Sequence, residues 1–132
     1  MFVIKRPYAG IMTIFADQHE CAVVVTTSVA ALDARNGSDF KRATSEVIQP
    51  STWHVFDMKA IQFVDGSGLG SILSFRRKIQ DQGGKLTLCN VNRPVRSLFR
   101  LLRMDRVFEI CNTREEALRS GPCERRGSTD AQ

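Results

Sequence analysis

The chain has 132 residues, 42% of them apolar and 25% charged, the make-up of one ordinary globular domain and not of a disordered chain. No run approaches the roughly 20 apolar residues that cross a bilayer, and the opening MFVIKRPYAG lacks the apolar core and cleavage site of a secretory signal, so a cytoplasmic protein without membrane contact is expected. With 19 Lys and Arg against 14 Asp and Glu the net charge is +5, which favours an acidic partner or surface without identifying one, while Cys21, Cys89, Cys111 and Cys123 form no C-x-x-C and are expected to be free thiols.

Residues 1–10 read as an N-terminal extension, and Ile11 to Ala16 is the first short apolar segment, followed by a polar turn over Asp17 to Glu20. Cys21 to Thr27 is β-branched and almost continuously apolar, as in a strand covered on both faces. Asp33 to Ile48 predicts a helix, with Phe40, Ala43 and Val47 on one side. Pro50 breaks the chain before a strand from Trp53 to Met58, continued through Ile61 to Val64. The segment Asp65-Gly66-Ser67-Gly68-Leu69-Gly70 then leads into a helix to about Gln82, with Leu69, Ile72, Leu73 and Ile79 inward and Ser71, Ser74, Arg77, Lys78 and Asp81 outward. Gly83-Gly84 ends it. Lys85 to Cys89 predicts a strand, Pro94 the first turn of a helix to about Arg103, and Val107 to Ile110 a further strand. Thr113 to Glu116 has the pattern of a capping box opening a last helix to about Arg119. Strand–helix alternation with short links gives an α/β fold, a single domain over 11–120 with a mixed, mostly parallel sheet of about four or five strands and about four helices. The tail 121–132 has little to bury and is expected to be disordered.

The glycine-rich segment is the most informative. Glycines at 66, 68 and 70 let the backbone turn sharply and approach another surface, and Ser67 falls at a helix mouth that favours an anion. Three readings compete. A nucleotide-binding loop is weakly supported, because the spacing is G-x-G-x-G and no phosphate-gripping lysine follows. A hydrolase nucleophile elbow fails, since Asp65 and Leu69 stand where G-x-S-x-G needs glycine. Helix capping by Ser67 is the purely structural reading.

The segment from Phe56 to Leu118 resembles the second half of STAS domains (sulfate transporter and anti-sigma factor antagonist). Those run through a hydrophobic strand, an Asp-Ser-Ser-Gly-Leu-Gly loop, an amphipathic helix, a Gly-Gly turn, a strand, a V-x-x-L-x-x-L helix and a final strand and helix. Each block is present here in order. Upstream, Leu32-Asp33 match the family's strand-to-helix turn, with Ala30 at its usual glycine. The resemblance implies a single STAS-like domain and a bacterial signalling protein that regulates transcription by partner switching. It implies an anti-sigma factor antagonist whose unphosphorylated form binds an anti-sigma factor, itself a serine kinase of the histidine-kinase-like ATPase type. Phosphorylation of Ser67 would block that binding, and a serine phosphatase would restore it. Asp33, Asp65, Gly66, Ser67, Gly68 and Leu69 are the implied partner contacts. Gly66 departs from the family's first serine and leaves the phosphoacceptor in place. No enzymatic activity, cofactor, metal or direct nucleic-acid contact is expected. The alternative is a STAS domain that holds a nucleotide or other small anion in the 65–70 loop.

Arg93, Arg96, Arg100 and Arg103 recur at spacings of 3, 4 and 3, with Val95, Leu98, Phe99 and Leu102 opposite. The pattern fits a solvated basic helix face; a docking surface for an acidic protein, nucleic acid or anionic lipid is the sharper reading. On either, the face is expected to contribute less to partner binding than the Ser67 loop. Trp53, Met58 and Met104 read as packing residues, and His19 and His54 lack metal-ligand spacing.

Overall fold

The computed structural model of the chain describes residues 3–8, 12–19 and 22–120, so the tail from 121, Cys21 and Cys123 lie outside the described residues. Strands β1 (Val3–Tyr8), β2 (Met12–His19) and β3 (Ala22–Thr27) open the fold. A two-residue strand β4 (Ala31–Leu32) and helix α1 (Gly37–Ser45) follow, then β5 (Trp53–Asp57), a second two-residue strand β6 (Phe63–Val64) and helix α2 (Gly66–Asp81). The chain ends through β7 (Lys85–Cys89), α3 (Arg93–Leu101), a 3-10 turn Met104–Arg106, β8 (Glu109–Cys111) and α4 (Arg114–Arg119). The main sheet has the order β1-β2-β3-β5-β7-β8, while β4 and β6 pair separately. β1–β2 and β2–β3 are antiparallel; β3–β5, β5–β7 and β7–β8 are parallel. The mixed, mostly parallel sheet thus has six strands. The sixth is β1, formed by residues whose composition left them outside the domain.

Each parallel step moves one strand along the sheet, so the right-handed rule puts α1, α2 and α3 on one face. Burial alternates accordingly. Val23 and Val25 of β3 join Phe40, Phe75 and Phe99 from those helices, whereas Ala22 and Val24 join Trp53, Val55, Cys89 and Ala117 of α4 on the other side. Phe40, Phe56 and Phe75 form a three-ring cluster with centroids 5.5 to 5.9 Å apart, locking α1, β5 and α2 together. Such pairs contribute about 0.5–1.5 kcal/mol each beyond their buried area.

Several boundaries differ from the pattern reading. Asp17 to His19 continue β2, because pairing with β3 extends past the apolar stretch. Helix α1 begins at Gly37, since Asp33 and Asn36 spend their side chains on the preceding turn. Helix α3 stops at Leu101 and Arg103 turns left-handed at φ 59, leaving Leu102 44% exposed rather than in the core. Ser71 faces inward and is fully buried; its hydroxyl donates to the Gly68 carbonyl at 2.6 Å.

Two buried polar residues tie loops to the sheet. His54, wholly buried, donates from Nδ1 to the Thr52 carbonyl at 3.0 Å and accepts the Gln49 N–H at Nε2, 3.1 Å away, which selects one neutral tautomer. Desolvation pushes its pKa below the usual 6.5. The unfolded chain therefore takes up this proton first on acidification. The His54 contribution to stability should be full above about pH 6.5 and lost as pH falls towards the depressed folded value. Urea unfolding between pH 7.5 and 5 should show that loss, and His54→Gln should flatten it. Asp57, at the end of β5, accepts from Lys59 N–H, Asn90 Nδ2, and both Nε and Nη2 of Arg114 at 2.9–3.1 Å, fastening α4 to the sheet.

Candidate functional site

The β4–β6 pair builds the site. Ala31 pairs with Phe63 and Leu32 with Val64 in parallel, so the turn after β4 and the loop after β6 leave side by side. The Asp65 N–H donates back to the Leu32 carbonyl at 3.3 Å. Asp65 is the N-cap of α2: Oδ1 accepts the Gly68 N–H at 2.8 Å, and Oδ2 accepts the Ala34 N–H at 3.3 Å. One carboxylate thereby caps a helix and staples it to the neighbouring turn. It takes the capping role that the purely structural reading gave to Ser67.

The three glycines are not equivalent. At Gly66 and Gly70 a Cβ would meet nothing within 4 Å, whereas at Gly68 it would run into the Leu32 carbonyl. Gly68 is therefore the position where only glycine lets α2 sit against β4. Across the junction, a Cβ on Gly37 would lie 3.5 Å from the Ser67 carbonyl oxygen, so the N-termini of α1 and α2 are in close contact.

On this frame Ser67 is exposed in the first turn of α2, Leu69 and Gly68 are buried beneath it, and Gly66 is exposed. Asp33 is brought beside the loop, but its carboxylate points into its own turn. Oδ1 accepts the Arg35 N–H at 2.9 Å and Oδ2 the Arg35 guanidinium at 3.1 Å. The guanidinium, then that N–H, hold its carboxyl below the usual carboxylate range. What this turn offers outward is Ala34 and Arg35, both exposed.

Phe63 is 55% exposed, directly upstream of the loop. The pattern reading placed it in a strand without singling it out. The available signal was alternation: Val64 turns inward, so its neighbour must turn out, and a two-residue strand has little to cover it. Among the described residues no group of three His, Cys, Asp or Glu side chains is placed to hold a metal ion, and no helix is long and apolar enough to cross a membrane.

Residues 14–117 match the STAS domain. The anti-sigma F factor antagonist of Paenibacillus polymyxa is 34% identical over 95 residues, covering 70% of this chain and 79% of that protein. An anti-sigma factor antagonist from Mycobacterium paratuberculosis shares the fold with a TM-score of 0.72 at 21% identity, over 87% of this chain and 97% of that one. The Bacillus cell fate determinant SpoIIAA in its phosphorylated form gives 0.57 at 20% identity, over 80% and 96%.

Proposed function

The chain belongs to the STAS domain family, and from that premise we propose that it is an anti-sigma factor antagonist whose partner affinity is set by phosphorylation of Ser67. The observation that carries this reading is the geometry of Ser67: exposed in the first turn of α2, on a backbone fixed from below by Asp65 and Gly68. A kinase reaches such a hydroxyl without unfolding the helix. Ser71, the next hydroxyl along, is buried and already bonded to the Gly68 carbonyl.

In the unphosphorylated state the 65–70 loop, the Asp33 turn and the exposed Phe63 ring dock on an anti-sigma factor that is itself a serine kinase. Phosphorylation adds a charge of about −1.5 to −2 beside Asp65, which remains committed to its cap. In a close-packed interface that charge brings repulsion and desolvation together. The protein is then the substrate of catalysis and not an enzyme; a serine phosphatase resets it, and the cycle runs in the cytoplasm.

The expected result is a loss of affinity of about a hundredfold on phosphorylation, equivalent to roughly 2.7 kcal/mol. Ser67→Ala should bind constitutively, and Ser67→Asp should lie between the two states because a carboxylate carries about half the charge. Affinity capture on Ser67→Ala supplies the partner, and calorimetry with and without kinase and ATP reads the difference. Equal affinities, or a phosphate mapped to another residue, would overturn the switch. Tight binding of GTP or ATP with no kinase present would favour the anion-holding alternative.

A further inference from the structure

Three arginines of α3 line a groove on the surface of the domain. The groove, of about 570 Å³, runs between α3 and the chain after β8, with Arg93, Arg96 and Arg100 on one wall and Asn112 on the other. Arg96 is held in place: its Nη1 donates to Asn112 Oδ1 at 3.2 Å. The groove continues through Val91 and Asn112 into a second hollow of about 630 Å³ at the carboxyl ends of β5 and β7, where Lys59 stands. Among the described residues, no ion pair engages Lys59, Arg93, Arg96 or Arg100, whereas Arg114 nearby is committed to Asp57. Leu101, one helical turn beyond the groove-lining Ser97, is uncovered as well, 77% exposed.

From this we propose that the α3 groove is a second interaction surface, built to take an extended acidic segment of a protein partner that ends in an apolar residue. Arg93 to Arg100 spans about 10 Å along the helix, a distance covered by about four residues of extended chain. Alternate side chains of such a segment face the arginines, and its apolar end covers Leu101. The remaining charges decide between classes of partner. Asp105 and Glu115 stand within the same run of hollows and oppose a continuous phosphate backbone, while a peptide places carboxylates only opposite the arginines. A planar bilayer does not reach into a groove walled by Asn112. No residue of the 65–70 loop lines these hollows, so their occupation should not depend on the phosphorylation state.

The test uses the full chain and a fluorescein-labelled ten-residue peptide of alternating Glu and Ser ending in two Leu, read by fluorescence anisotropy at low and physiological salt. Binding should be saturable and weaken with salt, as exposed charge pairing does. Arg96→Glu with Arg100→Glu should weaken it about tenfold, and Leu101→Ser severalfold. The control with the same change in net charge, Arg77→Glu with Lys78→Glu on α2, should lose less than about twofold, and so should Ser67→Asp. Circular dichroism melts establish that each variant folds; if a double reversal fails to fold, Arg96→Gln and Arg100→Gln singly replace it. Equal losses from the α2 and α3 reversals would reduce the binding to net charge and overturn the proposal. No binding of the peptide, or tighter binding of a 20-base-pair duplex or of phosphatidylglycerol vesicles, would overturn it as well.

Discussion

Gly68→Ala should destabilise the protein by about 3 kcal/mol or more, while Gly66→Ala and Gly70→Ala, two residues to either side, should be neutral or stabilising. All three glycines lie in the first turn and a half of α2, and in an exposed helix Gly→Ala gains roughly 0.5–1 kcal/mol through backbone entropy. That gain applies at 66 and 70, where an added methyl meets nothing. At 68 the methyl meets the Leu32 carbonyl, which belongs to the β4 backbone and accepts the Asp65 N–H. A flexible side chain can swing away; a strand carbonyl cannot move without breaking the β4–β6 pair. Relief by moving α2 instead tears the Asp65 cap and the Phe40–Phe56–Phe75 cluster. Thermal melts should place the Gly68→Ala midpoint roughly 10 °C below wild type for a domain of this size. A midpoint equal to that of Gly66→Ala would mean that the α2–β4 approach is looser than described.

The contrast among those glycines shows what the residue pattern conveys and what it does not. Helices α2 and α4, strand β7 and the loop between β6 and α2 are legible because each is marked locally, by caps, by a Gly-Gly stop or by apolar periodicity. Ser67 at a helix mouth is legible for the same reason. The role of Gly68 is not, because the carbonyl that requires it lies 36 residues upstream and comes near only through β4–β6 pairing. Strand β1 is hidden for a similar reason: it is defined by its register with β2, and its own composition carries no strong period. Asp33 was readable as a neighbour of the loop from the family's motif, but the turning of its carboxylate onto Arg35 depends on a side-chain choice that no spacing encodes. The inward Ser71 is a related case. A serine on a helix reads as polar and outward, yet against Gly37 it fits the narrow gap between two helix starts and satisfies its hydroxyl within its own helix.

Removing Arg114 should cost more than removing Asp57, and removing both should cost less than the sum. Asp57 is the deeper member, its side chain 6% exposed against 34% for Arg114. Asp57→Asn leaves a guanidinium that rehydrates through its open side, a loss of about 2 kcal/mol; Arg114→Met leaves a carboxylate within the protein, a loss of about 3 kcal/mol. That carboxylate keeps the Lys59 N–H and the Asn90 amide, which limits the damage to less than an isolated buried charge would cause. With both charges gone, no buried group lacks a counterpart, so a double-mutant cycle should return a coupling of about 1–2 kcal/mol. Urea unfolding of the four proteins at neutral pH measures it. Additive losses would mean that solvent already screens the pair, and that α4 is held to the sheet by the packing of Ala117 and Leu118 alone. The local consequence reaches the chain beside the α3 groove. Asn112 precedes Arg114 by two residues, so loosening α4 frees the wall that holds Arg96 and should weaken peptide capture there, although neither Asp57 nor Arg114 lines the α3 groove itself.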